Sequence, residues 1–530
     1  MFLNKKLFSD KIISILVFLI ALSFNQYFGN RGVFPIDSFG FFDSGFRVLN
    51  GEYPFKDYWV VSGPFIDLSQ AFWFYIFDVN WQSYIFNASF LNGILALLTY
   101  QLLIKFNLSQ RYSFFYTVSL ATLAYPVSGT PFVEQHSTFL SLIAIFLLIL
   151  AIKTEKKIFW FLIPFALGLA FLSKQVPSTY LGLSIFCLIL FNFFYNKKKY
   201  FLDTFIILFV SSIIFLSIFL SFFYLNEISF QSFINQYINY PREFGASRYL
   251  EYNFTFKNIF LDFKFIHLIY ILLIILKINK LFQNKNFYKT INFKLFLISS
   301  LLFFSLALHQ ILTKNQIYIF FLIPLFSAFF HIEIMNQEIK YKKHIIILLI
   351  SFCIFVTLKY NQRFNIERKF HELNNVDFNN SIDAELIDTK FKGLKWITPE
   401  KKTKKKLQEE IETIKKIKKI LKQDDRKKML ISNYSIFSVL LDESTNSPTR
   451  WYPGDSTGFP KTSDKSFKIY KNFLIKHIKK KKIEVAYVIS DVLEDNLVNY
   501  LSPECLQKTI ISKDLTSYLI NKNCDDFDGK

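Results

Sequence analysis

From residue 12 to residue 359 long apolar runs alternate with polar intervals, most of them short. Within the runs, apolar residues follow one another instead of recurring every three or four positions, so no amphipathic stripe is left to face water. A helix needs about 20 such residues to cross the hydrocarbon core of a bilayer. Runs of that order are centred on 12–28, 83–104, 112–126, 135–152, 158–172, 177–195, 201–224, 263–276, 292–310, 316–333 and 344–359. They predict a mainly α polytopic membrane protein with about eleven transmembrane helices. The third, fifth and eighth runs are short for a crossing. The first follows Lys5, Lys6 and Lys11 as in a signal sequence, but no small-residue cleavage site stands out, and it is read as an uncleaved span.

Beyond residue 360 no run is long enough to span, and Lys, Asp, Glu and Asn become frequent. This predicts a transmembrane domain over 1–360 followed by a separate soluble α/β domain over 361–530. Within 401–422, Leu407, Ile411, Ile414 and Leu421 recur at helical spacing, with Lys and Glu on the other faces as a solvated surface. Residues 429–432 and 485–489 read as strands, separated by a loop rich in Pro, Gly, Ser and Thr and by a helix near 466–478. Cys505 and Cys524 either form a disulfide, which the chain-entropy model values at roughly 3 kcal/mol for such a loop, or remain two free thiols.

Composition sharpens this picture. Of 530 residues, 52% are hydrophobic and 19% aromatic, which excludes an ordinary soluble enzyme. The formal net charge of +21 would point a soluble protein toward nucleic acid. Here much of the excess sits in short intervals between apolar runs, where it sets orientation, and no nucleic-acid partner is expected. Lys105 with Arg111, Lys153 with Lys156 and Lys157, and Lys340 with Lys343 all fall on the side of the amino terminus, which the positive-inside rule makes cytoplasmic. The other side receives the first loop, 29–81, the long loop 225–262 and the carboxyl-terminal domain. The sequence contains no Gly-rich phosphate loop ending in Gly-Lys-Ser/Thr, no His-Glu-x-x-His and no Cys-x-x-Cys, so nucleotide hydrolysis and zinc proteolysis have no local support.

Carboxylates and cations on the outer side are left to carry chemistry. Residues 34–64 form the one acid-rich stretch, with Asp37, Asp43, Glu52 and Asp57, and with Arg47 and Lys56 among them. After the first span come Asp37, Phe41, Leu49-Asn50-Gly51, Pro54-Phe55-Lys56-Asp57 and Gly63-Pro64. In order and spacing this resembles the polytopic glycosyltransferases of the GT-C fold that use a polyprenyl-phosphate sugar, family 39 type. These are the bacterial relatives of the protein O-mannosyltransferases and of the lipid A aminoarabinose transferase. Asp37-Ser38 replaces the family's Asp-Glu. GLAFLSKQ at 168–175 looks like the family's Gly-rich span ending in Lys, residues 307–324 like its late span, and residues 431–454 like its external domain.

The resemblance implies an inverting transferase that moves a sugar from a polyprenyl-phosphate donor to a glycolipid, glycan or protein acceptor on the outer face of a bacterial inner membrane. It assigns the general base to Asp37, with Asp43 as base or second acid. The bland readings are an N-cap of a helix over 38–50 for Asp37 and a solvated loop residue for Asp43. Lys174, between two apolar runs where charge is costly, is the first candidate for the donor phosphate, with snorkelling as the alternative. Arg242 and Arg248 suit bidentate phosphate binding. Asp57, Glu134, His136 and His309 are expected to support the acceptor or the loops. Glu134 and His136 are too few to define a metal site, so no ligands are assigned and a divalent ion stays open. A transporter or flippase, or a polymerase or ligase of lipid-linked glycans, is the alternative; a transporter needs ionisable residues near the midplane of several spans.

Overall fold

The computed structural model describes residues 2–124, 129–194, 198–250, 254–284, 286–313, 319–368, 373, 376–453, 457–490 and 493–527, without the side chains of 2–9, 198–201, 247–250 and 495. The chain forms two compact units. One comprises Met1–Gly29, Ala88–Phe219 and Tyr252–Asn374; the other comprises Asn30–Asn87, Leu220–Glu251 and Asn375–Lys530.

Among the described residues, eight helices are long and apolar enough to cross a membrane: Asp10–Phe28, Trp81–Lys105, Val133–Thr154, Gln175–Phe194, Leu202–Leu225, Lys264–Gln283, Ile291–Leu312 and Lys342–Ile366. The chain is a helical membrane protein. Leu202–Leu225 shows why: Leu202, Phe205 and Phe209 are all more than half exposed, a surface stable only against hydrocarbon. Each of the other three expected spans holds a shorter helix, Gln110–Leu123, Lys157–Ser173 and Leu322–Met335. The eighth run, expected to be short, is a helix of 20 residues. Its last turns carry Lys277 and Lys280, both ion-paired with Glu333, the latter at 2.7 Å, so polar residues extend the helix beyond its apolar run. Gly168, in the GLAFLSKQ motif, lets two helices approach closely; a Cβ there would stand 2.3 Å from the Phe215 ring.

The second unit is α/β. Its sheet has the order Lys428–Ile431, Val485–Ile489, Leu515–Ile520, Leu506–Ser512, with the first pair parallel and the others antiparallel. Helix Lys404–Gln423 buries Leu407, Ile411, Ile414 and Leu421, as their spacing requires. Met429, Ile431, Ala486 and Val488 pack with Leu474 and Ile478 of helix Phe467–Lys481 and with Trp59 and Val61. Residues 30–87, which the sequence division at 360 groups with the spans, thus contribute to the core of this unit. They are largely helical, with Pro35–Ser38, Gly40–Leu49 and Pro64–Phe77. The long loop is helical as well, through Phe230–Phe233, Ile234–Asn239 and Tyr240–Leu250. Cys505 and Cys524 form a disulfide, with Cα atoms 5.6 Å apart.

Candidate functional site

In the helical unit the sequence-selected residues gather where helices end. Val133–Thr154 begins with Glu134 and His136, and Lys174 is the residue between Lys157–Ser173 and Gln175–Phe194. A lysine side chain there can turn back along apolar surface, and its ammonium forms an ion pair with Glu134. The main chain at this break is also held: Ser137 Oγ and Ser178 Oγ donate to the Lys174 carbonyl at 3.1 and 2.6 Å. Glu134 is 2% exposed, and its Oε2 has no hydrogen-bond partner among the described residues. His136 Nδ1 lies 3.2 Å from the Phe132 carbonyl, which orients the ring. His309 is buried in the last turn of Ile291–Leu312.

In the α/β unit, residues 34–64 divide into turn builders, buried ion pairs and Asp37. Gly51 follows the end of Gly40–Leu49 at φ 82°, and Gly63 precedes Pro64–Phe77 at φ 72° with Pro64 at the first helical position. Both glycines occupy left-handed positions that a side chain resists, and Pro suits a helix start. Asp57 Oδ2 accepts from the Tyr53 N–H at 3.0 Å and closes the turn between them, while its Oδ1 meets Lys480 at 3.0 Å. The motif's spacing is therefore largely the spacing of turns.

Asp43 is not a solvated loop residue. It is 2% exposed in helix Gly40–Leu49, where Ser438 Oγ donates to it. Burial pushes its carboxyl up to about 6, although Arg47 and Ser438 pull the other way. Arg47, fully buried, donates from Nε to Glu52 Oε2 at 2.7 Å and from Nη1 to the Ser447 carbonyl at 2.8 Å, with its guanidinium over the Tyr58 ring. Burial raises the Glu52 carboxyl, but Arg47 and Lys481 outweigh it and hold Glu52 down at about 2. A further buried acid, Asp67, accepts from Ser44 at 2.6 Å, Tyr58 at 3.0 Å and Arg450 at 3.0 Å. Sequence reading passed over Asp67 and Arg450; a lone Asp inside an apolar helix, costly unless paired, was the available signal.

Asp37 lies less deep than these residues. It lies in Pro35–Ser38 and is half-buried, and the N-cap positions of that helix and of Gly40–Leu49 are Phe34 and Phe39, so capping is not its task. Arg242 is exposed on Tyr240–Leu250 and has no ion-pair partner among the described residues. The side chain of Arg248 lies outside the described residues. Among those residues, no group of three or more His, Cys, Asp or Glu is placed to hold a metal ion.

Fold and side-chain placement thus define a helical membrane protein with a charged, partly unsatisfied end to its apolar helices. Neither a scan against protein-family models nor a search of curated proteins returns a match for this chain.

Proposed function

We propose that this protein is a membrane glycosyltransferase. It moves one sugar from a polyprenyl-phosphate carrier to an envelope acceptor on the outer face of a bacterial inner membrane, with inversion at the anomeric carbon. The observation that carries this reading is the Lys174–Glu134 pair, an ammonium anchored among apolar helices by a carboxylate that keeps one oxygen unbonded among the described residues. Lys174 meets the charge developing on the carrier phosphate, a task worth most where water is scarce, and Glu134 holds the ammonium in place.

Asp37 takes the proton of the acceptor hydroxyl as it attacks the anomeric carbon and the carrier phosphate leaves. Asp43, Glu52 and Asp57 are buried in bonds that hold their unit together, whereas Asp37 is half-buried. Topologically, the three shorter helices bring the eight long ones to eleven passes. The lysine-rich connections then face the cytoplasm with the amino terminus.

Mass spectrometry of envelope glycolipids and glycans from a deletion strain tests the reading. Loss of one sugar substituent, restored by the intact gene, is expected; an unchanged glycan profile rejects it.

A further inference from the structure

The end of the helical unit that holds Lys174 also holds buried amide atoms with no hydrogen-bond partner among the described residues. Gln135 is 5% exposed, and neither its Nε2 nor its Oε1 has a hydrogen-bond partner among the described residues. The same holds for Gln310 Nε2, in a residue 1% exposed, and for Glu134 Oε2 and Thr138 Oγ1. Glu134, Gln135 and Thr138 lie in the first two turns of Val133–Thr154, and Gln310 lies in the last turn of Ile291–Leu312.

These two helix ends are level with one another. Glu134 pairs with Lys174, which directly precedes Gln175–Phe194. Near the far end of that helix, Asn192 Oδ1 accepts from Lys294 Nζ at 2.5 Å, and Lys294 lies near the start of Ile291–Leu312. The two helices therefore run antiparallel from a shared level. Back from Asn192 to Pro177, beyond which Val176 breaks the helix, and on from Lys294 to Gln310, the chain climbs about 22–24 Å at 1.5 Å per residue. That rise brings Gln310 level with Lys174, and Val133–Thr154 packs against both helices.

Leaving a buried polar atom unbonded costs more than an average hydrogen bond contributes. Several such atoms at one end of an apolar bundle mark a place that a polar ligand fills. A side-chain amide donates from nitrogen and accepts at oxygen, which matches hydroxyl groups. Phosphate only accepts and a prenyl tail does neither, so neither can meet the open Gln135 Oε1, which needs a donor such as a sugar hydroxyl.

We propose that Gln135 and Gln310 form the sugar subsite for the lipid-linked donor, recognising ring hydroxyls next to the phosphate partner Lys174. This rests on the transferase reading. The test is binding to the full-length, detergent-solubilised protein of a short-chain prenyl phosphate and of the same prenyl phosphate carrying glucose, mannose, galactose or N-acetylglucosamine. The wild type should bind at least one glycosylated probe about tenfold or more tighter than prenyl phosphate. In Gln135→Met and Gln310→Met that margin should shrink to about threefold or less, with prenyl phosphate binding unchanged. The thermal midpoint should hold or rise, because an apolar side chain of similar length removes the unsatisfied atoms. A margin that survives in both variants, or a midpoint that falls while the margin survives, makes these water-bridged structural amides and overturns the subsite. Lys174→Gln should weaken every probe. If it weakens none while the Gln variants still lose the margin, the phosphate assignment fails and the sugar subsite stands; a wild type that binds no probe overturns both.

Discussion

Arg450 Nη2 donates to Asp67 Oδ2 across 3.0 Å, joining two residues 383 positions apart inside the α/β unit. Asp67 is fully buried and Arg450 is 7% exposed, so each neutralises a charge that water does not reach. Removing one partner of such a pair costs about 3–5 kcal/mol because the other charge is left behind. Arg450→Met should therefore lower the unfolding midpoint of the solubilised protein strongly. Asp67→Asn combined with Arg450→Met should recover part of the loss, and strict additivity in this double-mutant cycle would show the pair to be uncoupled.

Asp43 and Glu52 give opposite pH dependences. Because burial raises Asp43 from 3.8 to about 6, the native state holds its proton more tightly than the unfolded chain does. Its contribution to stability is full below about pH 4 and lost as pH rises through about 6. Glu52 sits at about 2 under Arg47 and Lys481, below its ordinary 4.5, so its contribution is present above about pH 4.5 and lost as pH falls through about 2. Between pH 4 and 7 the wild type should lose on the order of 2–3 kcal/mol relative to Asp43→Asn. Thermal unfolding of both proteins across that range reads the difference, and parallel curves would contradict the buried placement of Asp43.

Helix Lys404–Gln423 separates packing from charge along a single element. Ile414 is 4% exposed, whereas Lys415 is exposed and its bond to Glu412 at 3.2 Å is a surface contact. Ile414→Ala should cost about 2–5 kcal/mol. Lys415→Ala should stay within about 0.5 kcal/mol. Chemical unfolding followed by tryptophan fluorescence, with Trp396 bonded through Nε1 to Glu410 of the same helix, checks both.

Much of this architecture was legible because it rests on local patterns. Apolar runs marked the helices, and the spacing of Leu407, Ile411, Ile414 and Leu421 marked the face that Lys404–Gln423 buries. The hairpin of Leu506–Ser512 and Leu515–Ile520 escaped notice because its first strand is an exposed edge with no buried alternation to reveal it. Of the two readings open for Asp43, the solvated loop residue fails, because its burial and its bond from Ser438, 395 positions away, exist only in the folded chain. Lys174 and Glu134 stood out as charges at the margins of apolar runs. Gln135 and Gln310 did not, because an amide carries no charge to attract attention and its lack of partners exists only in three dimensions.

The proposed role of Asp37 as the base of a sugar transfer carries the functional reading. It is tested most directly by turnover of purified Asp37→Asn, reconstituted in lipid vesicles with a prenyl-phosphate sugar and the envelope acceptor identified from the deletion strain. Turnover should fall about 100-fold or more, with expression, membrane insertion and donor binding intact. Turnover within about twofold of the wild type would contradict it.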